Sequence, residues 1–82
     1  MTDDELRERL ADVQHAIWAH WTRWQFSVCQ RNEDGSLTIP APLVERWTRQ
    51  MGTPYADLSE REKDSDREQA DKVLAVWRGV RP

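Results

Sequence analysis

Residues 2–28, TDDELRERLADVQHAIWAHWTRWQFSV, decide the fold class. Thr2 precedes three acids, Asp3, Asp4 and Glu5. This pattern opens helices, because the hydroxyl oxygen accepts a free backbone N–H and the carboxylates complement the positive end of the helix dipole. At about 100° per residue, Leu6, Leu10, Val13, Ile17, Trp21, Trp24 and Val28 fall within a sector roughly 80° wide, with Trp18 on its flank. The spacing predicts one long amphipathic helix that ends near Cys29 to Arg31.

Downstream, Asn32-Glu-Asp-Gly-Ser36 carries turn chemistry, and Leu37-Thr-Ile39 is too short to found a sheet, so an extended connector is expected. Pro40 and Pro42 stiffen it and introduce a second helix over about 42–51, in which Leu43, Val44, Trp47 and Met51 recur at helical spacing until Gly52 stops it. A tight loop, Thr53-Pro54-Tyr55, leads to Ser59-Glu-Arg-Glu62. Those four residues fit a capping box, in which serine and glutamate satisfy each other's backbone N–H groups, so a third helix is predicted over about 59–78. Its apolar face is read as Ala70, Val73, Leu74 and Trp77, with Gly79 to Pro82 as a tail. The expected architecture is a single all-α domain over residues 1–82, compact and three-helical, with an extended Pro-containing connector between helices one and two.

Eighty-two residues make one small domain, which buries only about 60 to 65% of the surface its unfolded chain exposes. Five tryptophans carry much of the apolar content and must supply most of the core, the functional site, or both. A single cysteine, Cys29, excludes an internal disulfide, and two histidines without a cysteine partner give no expectation of a metal or other cofactor. The acidic start does not suit a signal peptide, and no apolar run approaches the roughly 20 residues of a membrane span. These features predict a chain of the reducing cytoplasm. The net charge of −3 argues against a DNA or RNA polymer as partner, but a small anionic ligand needs only a few local cations.

Two constellations stand out. Projected from Lys63, Arg67 lies at about +40°, Ala70 at −20°, Leu74 at +20° and Trp77 at −40°, so two cations continue the stripe read as inward-facing. A buried unpaired cation is costly. Either the alkyl stems pack over tryptophans while Asp66 or another acid pairs with the heads, or an anionic ligand meets them. Trp21, Trp24 and Phe26 cluster near the end of the first helix, with Trp18 and Trp47 as further aromatics. Indole faces beside cationic heads are the chemistry that holds a nucleobase and its phosphate, yet the same rings fill cores, the expected role of mid-stripe Trp24 and Trp77. Tyr55 either anchors its loop or aims its hydroxyl toward Lys63 and Arg67.

Catalysis finds little support. His15 projects about 180° from the apolar stripe, and His20 has no Ser or Cys partner at a recognisable spacing. The carboxylates form solvated helical faces, and three glycines make no phosphate-cradling loop. The chain is read as a binding protein rather than an enzyme.

The run Pro54-Tyr-Ala-Asp-Leu58-Ser-Glu-Arg-Glu62-Lys63-Asp-Ser-Asp66-Arg67 resembles the signature of the ryanodine receptor (RyR) domain family. That signature is Pro-Tyr, two residues, Leu-Ser/Pro-Glu, one residue, Glu-Lys, two residues and Asp-Arg. His15-Ala-Ile-Trp18 is similar to the family's His-x-x-Trp helix, and Trp24-Gln-Phe26 to its Gly-Trp-x-Tyr-Gly element. The flanking glycines are absent, Phe26 stands where the family has tyrosine, and the His-Pro before the Pro-Tyr loop is missing. The resemblance implies a compact, non-catalytic helical module. For prokaryotic members it implies nucleotide binding in immune and conflict systems that use nucleotide second messengers, at a site drawing on Trp24, Phe26, Tyr55, Lys63 and Arg67.

A free-standing copy without an effector suggests sequestration. The expectation is a virus-encoded or defence-linked sponge for a cyclic oligonucleotide or related signal, with Lys63 and Arg67 on phosphate and Trp21, Trp24 or Tyr55 on the base. The rival expectation is a protein-interaction adaptor using surplus tryptophans such as Trp18 and Trp47. A homodimer or higher homo-oligomer is compatible with both.

Overall fold

The computed structural model describes residues 1–80. Thr2 caps α1 (Asp3–Val28), its Oγ1 accepting from the Glu5 N–H at 3.1 Å. Cys29 then turns extended, at ψ 157°, and caps the helix at the near edge of the expected end, Cys29 to Arg31. The reason lies in the next residues. Gln30 and Arg31 form β1 (Gln30–Arg31), which pairs antiparallel with β2 (Leu37–Thr38) in the register Gln30 to Thr38 and Arg31 to Leu37. The segment read as an extended connector is therefore a minimal hairpin. Its turn closes through Asn32 N–H to the Ser36 carbonyl at 2.9 Å and Ser36 N–H to Asp34 Oδ1 at 2.9 Å. Gly35 takes φ +89°, a conformation that a side chain would strain.

Pro40 is the N-cap of α2 (Ala41–Met51) and Pro42 sits in its first turn, so both prolines serve the start of a helix. Gly52 caps its end, and one turn of 3-10 helix (Tyr55–Asp57) leads into α3 (Glu60–Val80). The capping box is present: Ser59 Oγ accepts from Glu62 N–H at 3.2 Å, and Glu62 Oε1 accepts from Ser59 N–H at 3.3 Å. Helix α3 runs through Gly79 and Val80, which were expected in the tail; Arg81 and Pro82 lie outside the described residues.

The structure is mainly α-helical, as expected. Compactness is not found. The radius of gyration is 16.4 Å, and the molecule measures 50 × 35 × 16 Å, whereas a globular chain of this length has a radius of about 12 Å. Among the described residues no hydrophobic side chain is fully buried, and the one buried residue is Gln69 at 5% exposure. Helices α1 and α3 pack antiparallel: Leu6 to Gln14 share a groove with Val73, and His20 to Gln25 share a cleft with Arg61 to Glu68. The short α2 leans on this pair at the cleft end.

On α1 the predicted phase is correct, since Leu6, Val13, Ile17, Trp21 and Val28 are half-buried. On α3 it is rotated. The covered stripe there is Glu62, Ser65, Gln69, Val76 and Val80, whereas Ala70, Leu74 and Trp77 lie roughly 80–140° around from Gln69 and are exposed. Trp24 and Trp77, expected in a core, are 39% and 50% exposed. The physical reason is that α3 carries two apolar stripes, and the one seated on α1 includes polar Ser65 and Gln69.

Candidate functional site

The candidate site is an open cleft of about 1020 Å³ between the C-terminal half of α1, the face of α2 and the N-terminal half of α3. Helical spacing brings His20, Trp21 and Trp24 to one wall and Trp47 to the other. Their rings form a chain. His20 and Trp21 meet edge-on at 5.0 Å between centroids, Trp21 and Trp24 edge-on at 6.0 Å, and Trp24 and Trp47 tilted at 5.9 Å. An edge-on contact covers at most one face of one ring, so it does not by itself block both faces of an indole to a further flat ring.

Arginines from two helices reach the same cleft: Arg46 and Arg49 from α2, Arg61 from α3. Arg49 is engaged, donating to Glu62 Oε2 at 3.2 Å. Arg46 and Arg61 have no carboxylate within ion-pair distance among the described residues. Acids are present too, as Asp66 and Glu68 line the same space. Such a cleft suits a ligand that combines a flat ring with localised negative charge better than a bare polyanion.

Glu62 holds the cleft's far wall in place. Its Oε1 accepts from the Ser59 hydroxyl at 2.8 Å, and its Oε2 accepts from Gln50 Nε2 at 2.6 Å as well as from Arg49. The Gln50 amide, then Ser59, with a lesser part from Arg49, hold its carboxyl down to about 2, well below the usual carboxylate range. One side chain thus caps α3 and fastens α2 to it. The capping role is readable from Ser59-x-x-Glu62; the second role is not, although Gln50 recurring after Leu43 and Trp47 on the half-buried stripe of α2 is a sequence signal for a polar tie.

The residues singled out in the sequence divide between two places. Trp21 and Trp24 line the cleft. Phe26 does not; it is 56% exposed, about 180° from the α1 stripe. Tyr55, Lys63 and Arg67 gather instead on the other side of α3. The Lys63 ammonium stands 5.8 Å from the Tyr55 ring centroid, its side chain only 16% exposed, and 3.6 Å from Glu60 Oε1. Arg67 donates to Glu60 Oε2 at 2.9 Å and to Asp64 Oδ1 at 2.8 Å. Those two bonds, Glu60 first, hold the guanidinium firmly protonated, and the Arg67 hydrogen bond in turn holds the Glu60 carboxyl low.

The two cations are therefore met by carboxylates of their own helix, with Glu60 and Asp64 in the role that Asp66 was a candidate for. Arg67 is exposed beside the outward stripe, while the largely covered Lys63 has its charge met by Glu60 and the Tyr55 ring, so neither cation is left without a partner. The cluster of two cations and two carboxylates is neutral, and an anion entering it must displace Glu60 or Asp64. Of the further aromatics, Trp47 joins the cleft, while Trp18 is 58% exposed and stacks on His15 at 5.7 Å. Among the described residues no group of three or more metal-ligating side chains converges, and no helix is long and apolar enough to cross a membrane.

No protein-family model, curated protein or solved structure matches this chain. The likeness to the RyR domain family rests on the motif residues quoted above.

Proposed function

We propose that this chain is a non-enzymatic nucleotide-binding protein of RyR-like type, and in its sharpest form a sponge that sequesters a cyclic oligonucleotide or related nucleotide signal. The observation that carries this reading is the cleft itself. Three indoles line one space that also contains Arg46 and Arg61, which have no carboxylate within ion-pair distance among the described residues. Stacking of a base on an indole contributes about 1–3 kcal/mol, and charge-assisted bonds from Arg46 or Arg61 to phosphate add orientation. The motif resemblance supplies the ligand class, and the cleft supplies chemistry to match it. Trp21 and Trp24 keep the role expected of them, joined by Trp47, Arg46 and Arg61. Tyr55, Lys63 and Arg67 form a separate candidate anion position, reached by exchanging Glu60 or Asp64 for phosphate.

The test is calorimetry against a panel of linear and cyclic nucleotides, after the purified protein's absorbance ratio has been checked for a carried-over nucleotide. Trp21→Ala and the pair Arg46→Ala with Arg61→Ala are expected to weaken binding about tenfold or more, because each removes one stacking or charged contact. Lys63→Ala with Arg67→Ala is expected to have the smaller effect. Binding that survives the cleft variants and vanishes in the Lys63/Arg67 pair would refute the cleft as the site. The absence of binding by every member of the panel would refute the function. The second reading, a protein-interaction module, is favoured by one observation, the exposed Trp18 and Trp77.

A further inference from the structure

We infer that a second copy of this chain covers the exposed apolar side of the α1/α3 layer, so that the folded unit is a homodimer. The inference rests on surface area and does not depend on a ligand.

The accessible surface of the chain is 6743 Å², whereas a folded monomer of its 9.7 kDa mass exposes about 5,100 Å². The excess of roughly 1,600 Å² is about twice what each partner contributes to a standard protein interface, and it falls in the range of obligate homodimers. Its location is specific. Leu10 on α1 and Val73, Leu74 and Trp77 on α3 are 37 to 50% exposed. An apolar groove of about 610 Å³ runs between Leu6, Leu10 and Val13 on one side and Val73 on the other. Val73, Trp77 and Leu74 follow one another around α3 from that groove, at about 40°, 80° and 140° from the covered Gln69.

Two such layers stacked face to face make a four-helix bundle, the arrangement by which paired amphipathic helices gain a core. An antiparallel pair also presents a surface that a two-fold axis can match to itself. A second copy fits better than an occasional partner for an energetic reason. With no fully buried apolar side chain among the described residues, the chain needs the missing contacts whenever it is folded, and its own copies are always present in stoichiometric amount. A net charge of −3 per chain raises only a weak barrier to self-association.

The experiment combines light scattering on the intact protein with thermal melts over a hundredfold concentration range. The expected mass is twice 9.7 kDa, and the melting midpoint is expected to fall by about 4 °C for each tenfold dilution, as coupled folding and dimerisation requires. Leu74→Glu and Trp77→Glu are expected to lower the midpoint and to shift dissociation to at least tenfold higher concentration. Ile39→Glu, an equally exposed apolar residue of the connector, is expected to leave assembly unchanged. A folded 9.7 kDa monomer with a concentration-independent midpoint would overturn the inference, whatever the variants do. A dimer that resists Leu74→Glu and Trp77→Glu but yields to Ile39→Glu would overturn the face.

Discussion

Replacing Trp47 by alanine tests whether the cleft is held by one aromatic junction. Trp47 is half-buried, its ring 5.9 Å from that of Trp24, and this is where α2 meets α1. A tryptophan buries about 150–250 Å² when well packed. Half of that, roughly 100 Å² at about 25 cal/mol per Å², gives a loss of about 2.5 kcal/mol for Trp47→Ala. In a chain of this size that corresponds to a fall of about 10–20 °C in melting midpoint. The specific claim concerns the pair. In a double-mutant cycle with Trp24→Ala the two changes are expected to be less than additive by about 0.5–1.5 kcal/mol, because either one alone abolishes the ring contact. Four proteins followed by far-ultraviolet circular dichroism in urea, at one protein concentration, give the cycle. Additivity to within about 0.3 kcal/mol would refute the reasoning, because it would place the two rings in independent environments.

Acid is expected to loosen the α2–α3 junction. The Glu62 carboxyl titrates at about 2 when folded against an ordinary value of 4.5, so its contribution is fully present above about 4.5 and is lost as the pH falls through about 2. Glu62→Gln should flatten that part of the stability profile in melts between those two values, and an unchanged acid limb would count against the tie. Ser59→Ala, which removes the α3 cap, is expected to cost about 1 kcal/mol by urea denaturation. Gly35→Ala should cost about 1 kcal/mol or more from the backbone alone, since an added Cβ meets nothing within 4 Å at φ +89°; Gly35→Asn should cost less.

What the sequence determined by itself is local. Thr2, Pro40, Ser59 with Glu62, and Gly35 act through hydrogen bonds and torsions spanning a few residues, so their caps and turn are readable without knowing the rest of the fold. The apolar stripe of α1 is equally plain, because seven large side chains share one sector. The tertiary structure alone decided the face of α3. Ala70, Val73, Leu74 and Trp77 compete there with Val76 and Val80, and a periodicity of 3.6 residues fits both. Seating Gln69 and Ser65 against α1 put Lys63 and Arg67 on the side of α3 away from the cleft, beside Glu60 and Asp64, and left the tryptophan cleft to the arginines of α2 and α3. Helix periodicity states which residues share a face; which face is covered depends on what the neighbouring helix offers, and that information lies far away along the chain.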